Sequence, residues 1–440
     1  MRRKLTILFA PPDGVGHVNA CIGIGEVLRD RGHRIVFAVC DIWRNKLTKY
    51  GFEEEIIRES DSDADPGTYW AELFSKGGMF GSKPPMEKMK NFNNLTANGL
   101  IKQIQASDER VKECVDRVKP DIIVIDGFVW MPSLMNSGIP WVWSISTNLL
   151  SIDHAFDDEE IPPGGLGLPA NSDKKLWKKL RDEKNAALTP TIENFNNWLI
   201  SNNFPTLPTQ KLITPSPYLN IYMVPEELDY TDITKFPSNW YRFDYFMRSC
   251  CNDMFEIPDK LKSKPGKLIY FSMGSMAGTD VQLMKRLVSI LAKSKHRFII
   301  SKGPLHEQYE LADNMWGDQT VPQIKVLQKV DLVITHGGNN TFTETFFYGK
   351  PMIVLPIFCD QFDNAQRLQE KGLGIRLDPY DCTESQLLSS IDKLLNDKVL
   401  HKKLQRISKR IQKSKSISRV TELIEGLASN TDSPIDSQRG

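Results

Sequence analysis

The chain has 440 residues, 40% of them hydrophobic and 25% charged, the composition of an ordinary globular protein long enough for two or three domains. With 56 Lys and Arg against 55 Asp and Glu the net charge is +1, which excludes the bulk cationic excess of a general nucleic-acid binder. Seven cysteines without CxxC spacing exclude a disulfide framework and a cysteine zinc site, and point to a reducing compartment.

In chain order, MRRKLTILFAPPDG opens with basic residues, but its apolar run over 5–10 is too short for a signal peptide and stops at Pro11, Pro12 and Asp13. It reads as a buried strand. A helical pattern over 20–31 closes at Gly32, and RIVFAV is a second strand, giving a βαβ unit. Residues 61–99 and 151–217, rich in Pro, Gly, Asn and charge, read as irregular insertions that either wall a substrate pocket or lie as surface loops. The uncharged run 127–152 is long enough to span a bilayer, but Pro132, Asn136, Gly138 and Pro140 break it into a short helix and a strand, WVWSIS. With DIIVID and NIYMV these apolar runs predict a parallel sheet buried on both faces.

Periodicity fails between 242 and 266, around Cys250, Cys251 and IPDKLKSKPG, and then resumes. KLIYFSMG, a helix over 280–292, RFIIS, DLVITH, a glycine turn, a helix and MIVLP predict a second doubly wound α/β domain. The division is therefore 1–241, a linker over 242–266, 267–425, and a polar tail over 426–440. The helix near 400–415 sets Leu404, Ile407 and Ile411 opposite a basic face and reads as a packed helix with a solvated side.

Three constellations carry chemistry. Gly14-Val-Gly16-His17 follows the first strand, where ligands of open α/β sheets bind, and a helix N-terminus there disfavours a charged imidazole. Asp126 ends the strand DIIVID in the same sheet, placed either to orient His17 or to cap a helix. The third is the segment 320–368. A strand ends in His336, Gly337 and Gly338 allow close backbone approach, and Asn340 and Thr341 open a helix whose free N–H groups suit a diphosphate. Glu344, one turn on, can accept two ribose hydroxyls; Asp360 and Gln361 lie within reach of a sugar.

With VPQ, HGG, the helix glutamate, GKPMIVLP and the DQ pair in order, this segment resembles the signature of the UDP-dependent glycosyltransferases of family 1. The likeness extends to the GVGHVNA turn, the DIIVIDGF strand and the YFSMGS turn, and favours the soluble mite, bacterial and plant-type members. It implies an α/β GT-B fold, two facing Rossmann-like doubly wound domains with the active site between them. It also implies His17 as general base with Asp126 as its partner, and a donor site of Gly16, Ser275, Val321, Gln323, His336, Gly338, Asn340, Thr341, Glu344, Asp360 and Gln361. Two positions depart from the pattern: Thr320 stands where the family usually has a uracil-stacking Trp, and Asn339 where plant members have Trp.

Asp61, Asp63, Asp65 and Glu72 imitate a calcium-loop spacing, but Pro66 occupies the position that needs glycine. Asn94 and Asn339 begin glycosylation sequons. The expected activity is inverting, metal-independent transfer of a hexose from UDP-glucose, a co-substrate, to a small lipophilic hydroxylated acceptor such as a flavonoid, phenol or xenobiotic, as in detoxification. No cofactor, metal, nucleic acid or stable membrane anchor is expected, and the protein is expected to be a cytoplasmic monomer. The alternatives are another GT-B enzyme, such as a sugar-nucleotide epimerase or a polymer-building transferase, and a non-catalytic nucleotide-sugar-binding protein.

Overall fold

The computed structural model describes residues 3–60, 66–93, 98–155, 160–208, 211–245, 248 and 254–429. Asp61, Asp63 and Asp65, the Asn94 sequon, Cys250, Cys251 and the tail beyond 429 lie outside the described residues.

Two parallel sheets form the framework. The first contains β1 (Thr6–Ala10), β2 (Arg34–Cys40), β3 (Glu53–Arg58), β4 (Ile122–Asp126), β5 (Trp141–Ile145), β6 (Leu219–Met223) and β7 (Trp240–Phe243), in the order β3-β2-β1-β4-β5-β6-β7. The second contains β8 (Leu268–Ser272), β9 (Arg297–Ser301), β10 (Met315–Asp318), β11 (Leu332–Thr335), β12 (Met352–Val354) and β13 (Gly374–Arg376), in the order β10-β9-β8-β11-β12-β13. The central strands are uninterrupted apolar runs because helices cover both faces; Ile7, Leu8, Ile123, Val124, Ile269 and Val333 are fully buried. Strand order reverses between β1 and β4 and again between β8 and β11, so each sheet opens a crevice at its carboxyl edge, one with His17 and Asp126, the other with the Gly274 and His336 turns.

Several elements differ from the sequence expectation. The first helix spans Val15–Asp30, five residues earlier than the apolar spacing over 20–31 marked, and holds His17 in its first turn with Val18 buried in the core. Strands β3, β7, β10 and β13 carried no signal because they are short or polar, and β7 pairs with β6 across position 242, where the linker was expected to begin. The expected irregular insertions contain the helices Pro66–Lys76, Pro85–Phe92 and Lys174–Ser201, the last with Pro190 inside it. Their sparse apolar residues, such as Trp177, Phe195 and Leu199, hid the helical period.

The C-terminal helices join the halves. Helix Lys398–Lys413 buries Leu400, Leu404, Ile407 and Ile411, as its stripe predicts. Helix Ser416–Leu427 then crosses back: Val420 and Ile424 pack into the core formed by β1, β2 and the first helix, and Glu425 binds Arg31 and His33. Residues 416–425, assigned by sequence to the second domain, thus pack on the first. At the crossing the buried Asp244 accepts from Arg242 Nη1 at 2.9 Å, Arg410 Nη1 at 2.8 Å and Ser414 Oγ at 2.8 Å.

Candidate active site

His17 and Asp126 meet because β1 and β4 are neighbours, His17 lying in the helix after β1 and Asp126 ending β4. His17 Nδ1 lies 3.2 Å from Asp126 Oδ1 and 3.0 Å from Ser146 Oγ, with the ring edge-on to Phe128. An ionised carboxylate has no proton to give, so Nδ1 carries the hydrogen and the Nε2 lone pair is left to act as a base. Burial opposes charge on the ring, but the Asp126 carboxylate, its hydrogen bond and the charge of Asp360 outweigh burial and raise the pKa above the ordinary 6.5. The helix N-terminus disfavours a charged ring, as expected from sequence, while the two carboxylates act in the opposite direction. Ser146 escaped the sequence reading. Its signal was positional, two residues beyond Ser144, which pairs with Asp126 in the β4–β5 register.

The second sheet presents a polar cradle. His336 follows β11, and burial pushes its pKa down to about 4, so the ring is neutral and can donate a hydrogen bond without charge. Backbone and ring approach closely here: a Cβ on Gly338 would lie 2.4 Å from His336 Nε2, and one on Gly274 would lie 2.7 Å from His336 Cε1. Gly338 caps helix Asn339–Phe347 without a side-chain hydrogen bond, leaving its first N–H groups to a ligand. Ser275, in the short helix Gly274–Ala277, lies at the neighbouring strand end and is partly exposed.

Gln323 opens helix Gln323–Lys329, accepts from Tyr270 Oη at 3.0 Å, and donates to Thr341 Oγ1 at 3.2 Å and Glu344 Oε2 at 2.5 Å. Burial raises the pKa of Glu344, while Arg248, 3.7 Å away, and Gln323 act against that rise. Arg248 is a second residue that sequence reading missed; it comes from the linker, where no motif marks it. Thr320 is exposed and Val321 partly so. Asn339 of the second sequon is buried and its amide donates to Met223 O at 3.1 Å, an environment that cannot hold a glycan.

The two groups of residues face each other. Asn340 Nδ2 donates to Gly16 O at 2.8 Å, and Asn148 N donates to Asp360 Oδ2 at 3.3 Å. Burial lifts the Asp360 carboxyl to about 6, with the Asn148 N–H and His17 pulling the other way. Gln361 spends its carbonyl on the N–H groups of Ile357 and Phe358, so a sugar contact falls to its NH2. Asn364, which donates to Gly337 O at 2.9 Å and accepts from Asn148 at 2.8 Å, also carried no sequence signal.

The inserted segments close one side of this crevice. Gly165 N and Gly167 N donate to Asp363 Oδ2 at 2.6 Å and Oδ1 at 2.9 Å. Lys88 donates to Ile357 O at 2.8 Å, with its ammonium 5.1 Å from the centre of the Tyr380 ring, and Phe74 stacks on Phe358.

Residues 261–420 match the family model for UDP-glucoronosyl and UDP-glucosyl transferases. Over 426 residues the chain is 24% identical to the NDP-glycosyltransferase YjiC of Bacillus subtilis, covering 95% of this chain and 96% of that one. The second domain thus carries the match to the UDP-glycosyltransferase model, and the relatives aligned over the whole chain are glycosyltransferases. This glycosyltransferase is also 23% identical to the oleandomycin glycosyltransferase of Streptomyces antibioticus, over 93% of its own length and 88% of that protein's. Its fold is GT-B: the glycosyltransferase of kitacinnamycin superposes with a TM-score of 0.73 over 97% of this chain and all of that one, at 18% identity. The spinosyn rhamnosyltransferase SpnG complexed with thymidine diphosphate gives 0.62 over 97% of this chain and all of that one, at 18% identity. Among the described residues no helix is long and apolar enough to cross a membrane.

Proposed function

We propose that this glycosyltransferase moves a hexose from UDP-glucose to a hydroxyl of a small lipophilic acceptor, with inversion, and that His17 is the general base. The observation that carries the reading is the His17–Asp126 contact, in which Nδ1 faces the carboxylate and Nε2 is left to take a proton. Nε2 takes the acceptor proton, and the acceptor oxygen bonds to the anomeric carbon. The bond from that carbon to the diphosphate oxygen breaks, and its electron pair leaves on UDP. Asp126 stabilises the imidazolium. The free N–H groups at Asn340 and Thr341, with Ser275, neutral His336 and the close backbone at Gly16 and Gly338, hold the diphosphate; Glu344 holds the ribose, Val321 and Gln323 the base, and Asp360 and Gln361 the sugar hydroxyls. The donor needs no metal and the enzyme no further cofactor. It works as a cytoplasmic monomer.

Support for a nucleoside diphosphate donor comes from the uncapped helix at Gly338 and from the thymidine diphosphate complex of a protein with the same fold. The test is mass spectrometry of the protein incubated with UDP- and dTDP-glucose and a panel of phenols and flavonoids, run beside His17→Ala. A hexose added from UDP-glucose, absent with the variant, is the expected result. A product unchanged in His17→Ala removes His17 from the role, and turnover with dTDP-glucose alone reassigns the donor.

A further inference from the structure

We propose that the outer face of helix Lys398–Lys413 docks on an anionic membrane surface. Between 398 and 421 the sequence holds nine Lys and Arg and no Asp or Glu, in a chain whose net charge is only +1, so the remainder of the molecule is net negative. At about 100° per residue, Val399, Lys402, Arg406, Lys409 and Lys413 share an arc of about 80°, nearly opposite the buried Leu400, Leu404, Ile407 and Ile411. Val399 is 79% exposed, and all four cations are exposed. None of the four has a hydrogen-bond or ion-pair partner among the described residues. Their neighbours do: Arg410 turns inward to Glu227 and Asp244, and Lys403 donates to Lys371 O. Pairing is thus withheld on one face of the helix and satisfied on the others.

From Val399 to Lys413 the row extends about 21 Å along the helix. At its C-terminal end it reaches an open hollow of about 770 Å³ where Lys413 and Lys415 join Arg242, Arg410 and Arg419, with Glu226 and Asp244 also in the lining. A row of unpaired cations on one face, ending beside Lys415, complements a plane of lipid phosphates. The apolar side of the helix is committed to the protein core, so the helix adsorbs without inserting, and binding is electrostatic and salt-sensitive. No aromatic side chain on the face offers a stacking platform for single-stranded nucleic acid.

The test is co-sedimentation of the full chain with phosphatidylcholine vesicles, with and without phosphatidylglycerol. It is repeated at high salt, with Lys402→Gln, Arg406→Gln, Lys409→Gln and Lys413→Gln combined, and with a synthetic RNA homopolymer. The wild type is expected to pellet only with the anionic vesicles, and the four changes to weaken that binding at least about tenfold while melting temperature and hexose transfer to a soluble phenol stay as they were. The pair Lys402→Gln and Lys409→Gln carries the same test if four changes disturb the fold. Equal binding to neutral vesicles, undiminished binding of the variants, or binding to the RNA with none to the vesicles overturns the proposal.

Discussion

At the scale of single residues, the chemistry concentrates on the two nitrogens of His17. Nδ1 is held between Asp126 and Ser146, so its partners set both the tautomer and the basicity of Nε2. His17→Ala is expected to lower hexose transfer by about 10²- to 10⁴-fold with the UDP dissociation constant unchanged, measured by steady-state kinetics and titration calorimetry. The base acts when neutral and its pKa is raised, so transfer should fall on the acid side at a midpoint above pH 6.5. Asp126→Asn removes the largest raising influence, and its acid midpoint should move down as kcat falls. Ser146→Ala leaves Asp126 as the remaining anchor of Nδ1; a several-fold fall in kcat with KM for the donor unchanged, restored by Ser146→Thr, is the expected pattern. An unchanged pH profile in Asp126→Asn would separate the pair.

At the scale of elements, the inserted loop over 160–170 and helix Asp360–Glu370 form a clasp between domains. Asp363 receives two backbone N–H groups that have no water to turn to, and Gly167 adopts φ +61° with a would-be Cβ only 2.8 Å from Phe362 O. Asp363→Ala strands both donors and should cost about 1–3 kcal/mol for each N–H left buried, read from urea unfolding. Burial lifts the Asp363 carboxyl to about 7 from 3.8, against the pull of the Gly165 and Gly167 N–H groups and Lys184. Because the folded state holds this proton more tightly, the contribution to stability is full below pH 3.8 and is lost as pH rises toward 7. Asp363→Asn should therefore flatten the decline in melting temperature over that window.

At the scale of the whole molecule, the chain's return from the second domain to the first ties the two halves together behind the crevice. Asp244 is only 1% exposed, yet Arg242, Arg410 and Ser414 hold its carboxyl below the usual range despite burial. Asp244→Ala would leave two guanidinium groups facing each other with their shared acceptor gone, and a loss of about 3–5 kcal/mol is expected in chemical unfolding. Because the crossing helix also buries Val420 and Ile424 in the first domain, both domains should lose stability together, visible as a single shifted transition rather than two.

The strands β1, β4, β8 and β11 were legible as sequence because a strand buried on both faces must be an unbroken apolar run, and the turns after them because only glycine permits such close approach to His336. The basic face of the last long helix was equally plain, since a 3.6-residue period survives without any partner. What no local pattern carried is whatever depends on distant segments meeting. Ser146 and Asn148 are unremarkable letters until β5 is laid beside β4, and Arg248 lacks a motif until it reaches Glu344. The upward pKa shift of His17 was hidden for the same reason. A helix end is local and visible in the chain, whereas the carboxylates of Asp126 and Asp360 lie 109 and 343 positions away and act only once folding has set them around the ring. Sequence alone thus determined the central strands, the turns and the types of group available; only the tertiary structure decided the edge strands and which groups share a proton, because electrostatics and hydrogen bonding depend on distance in space.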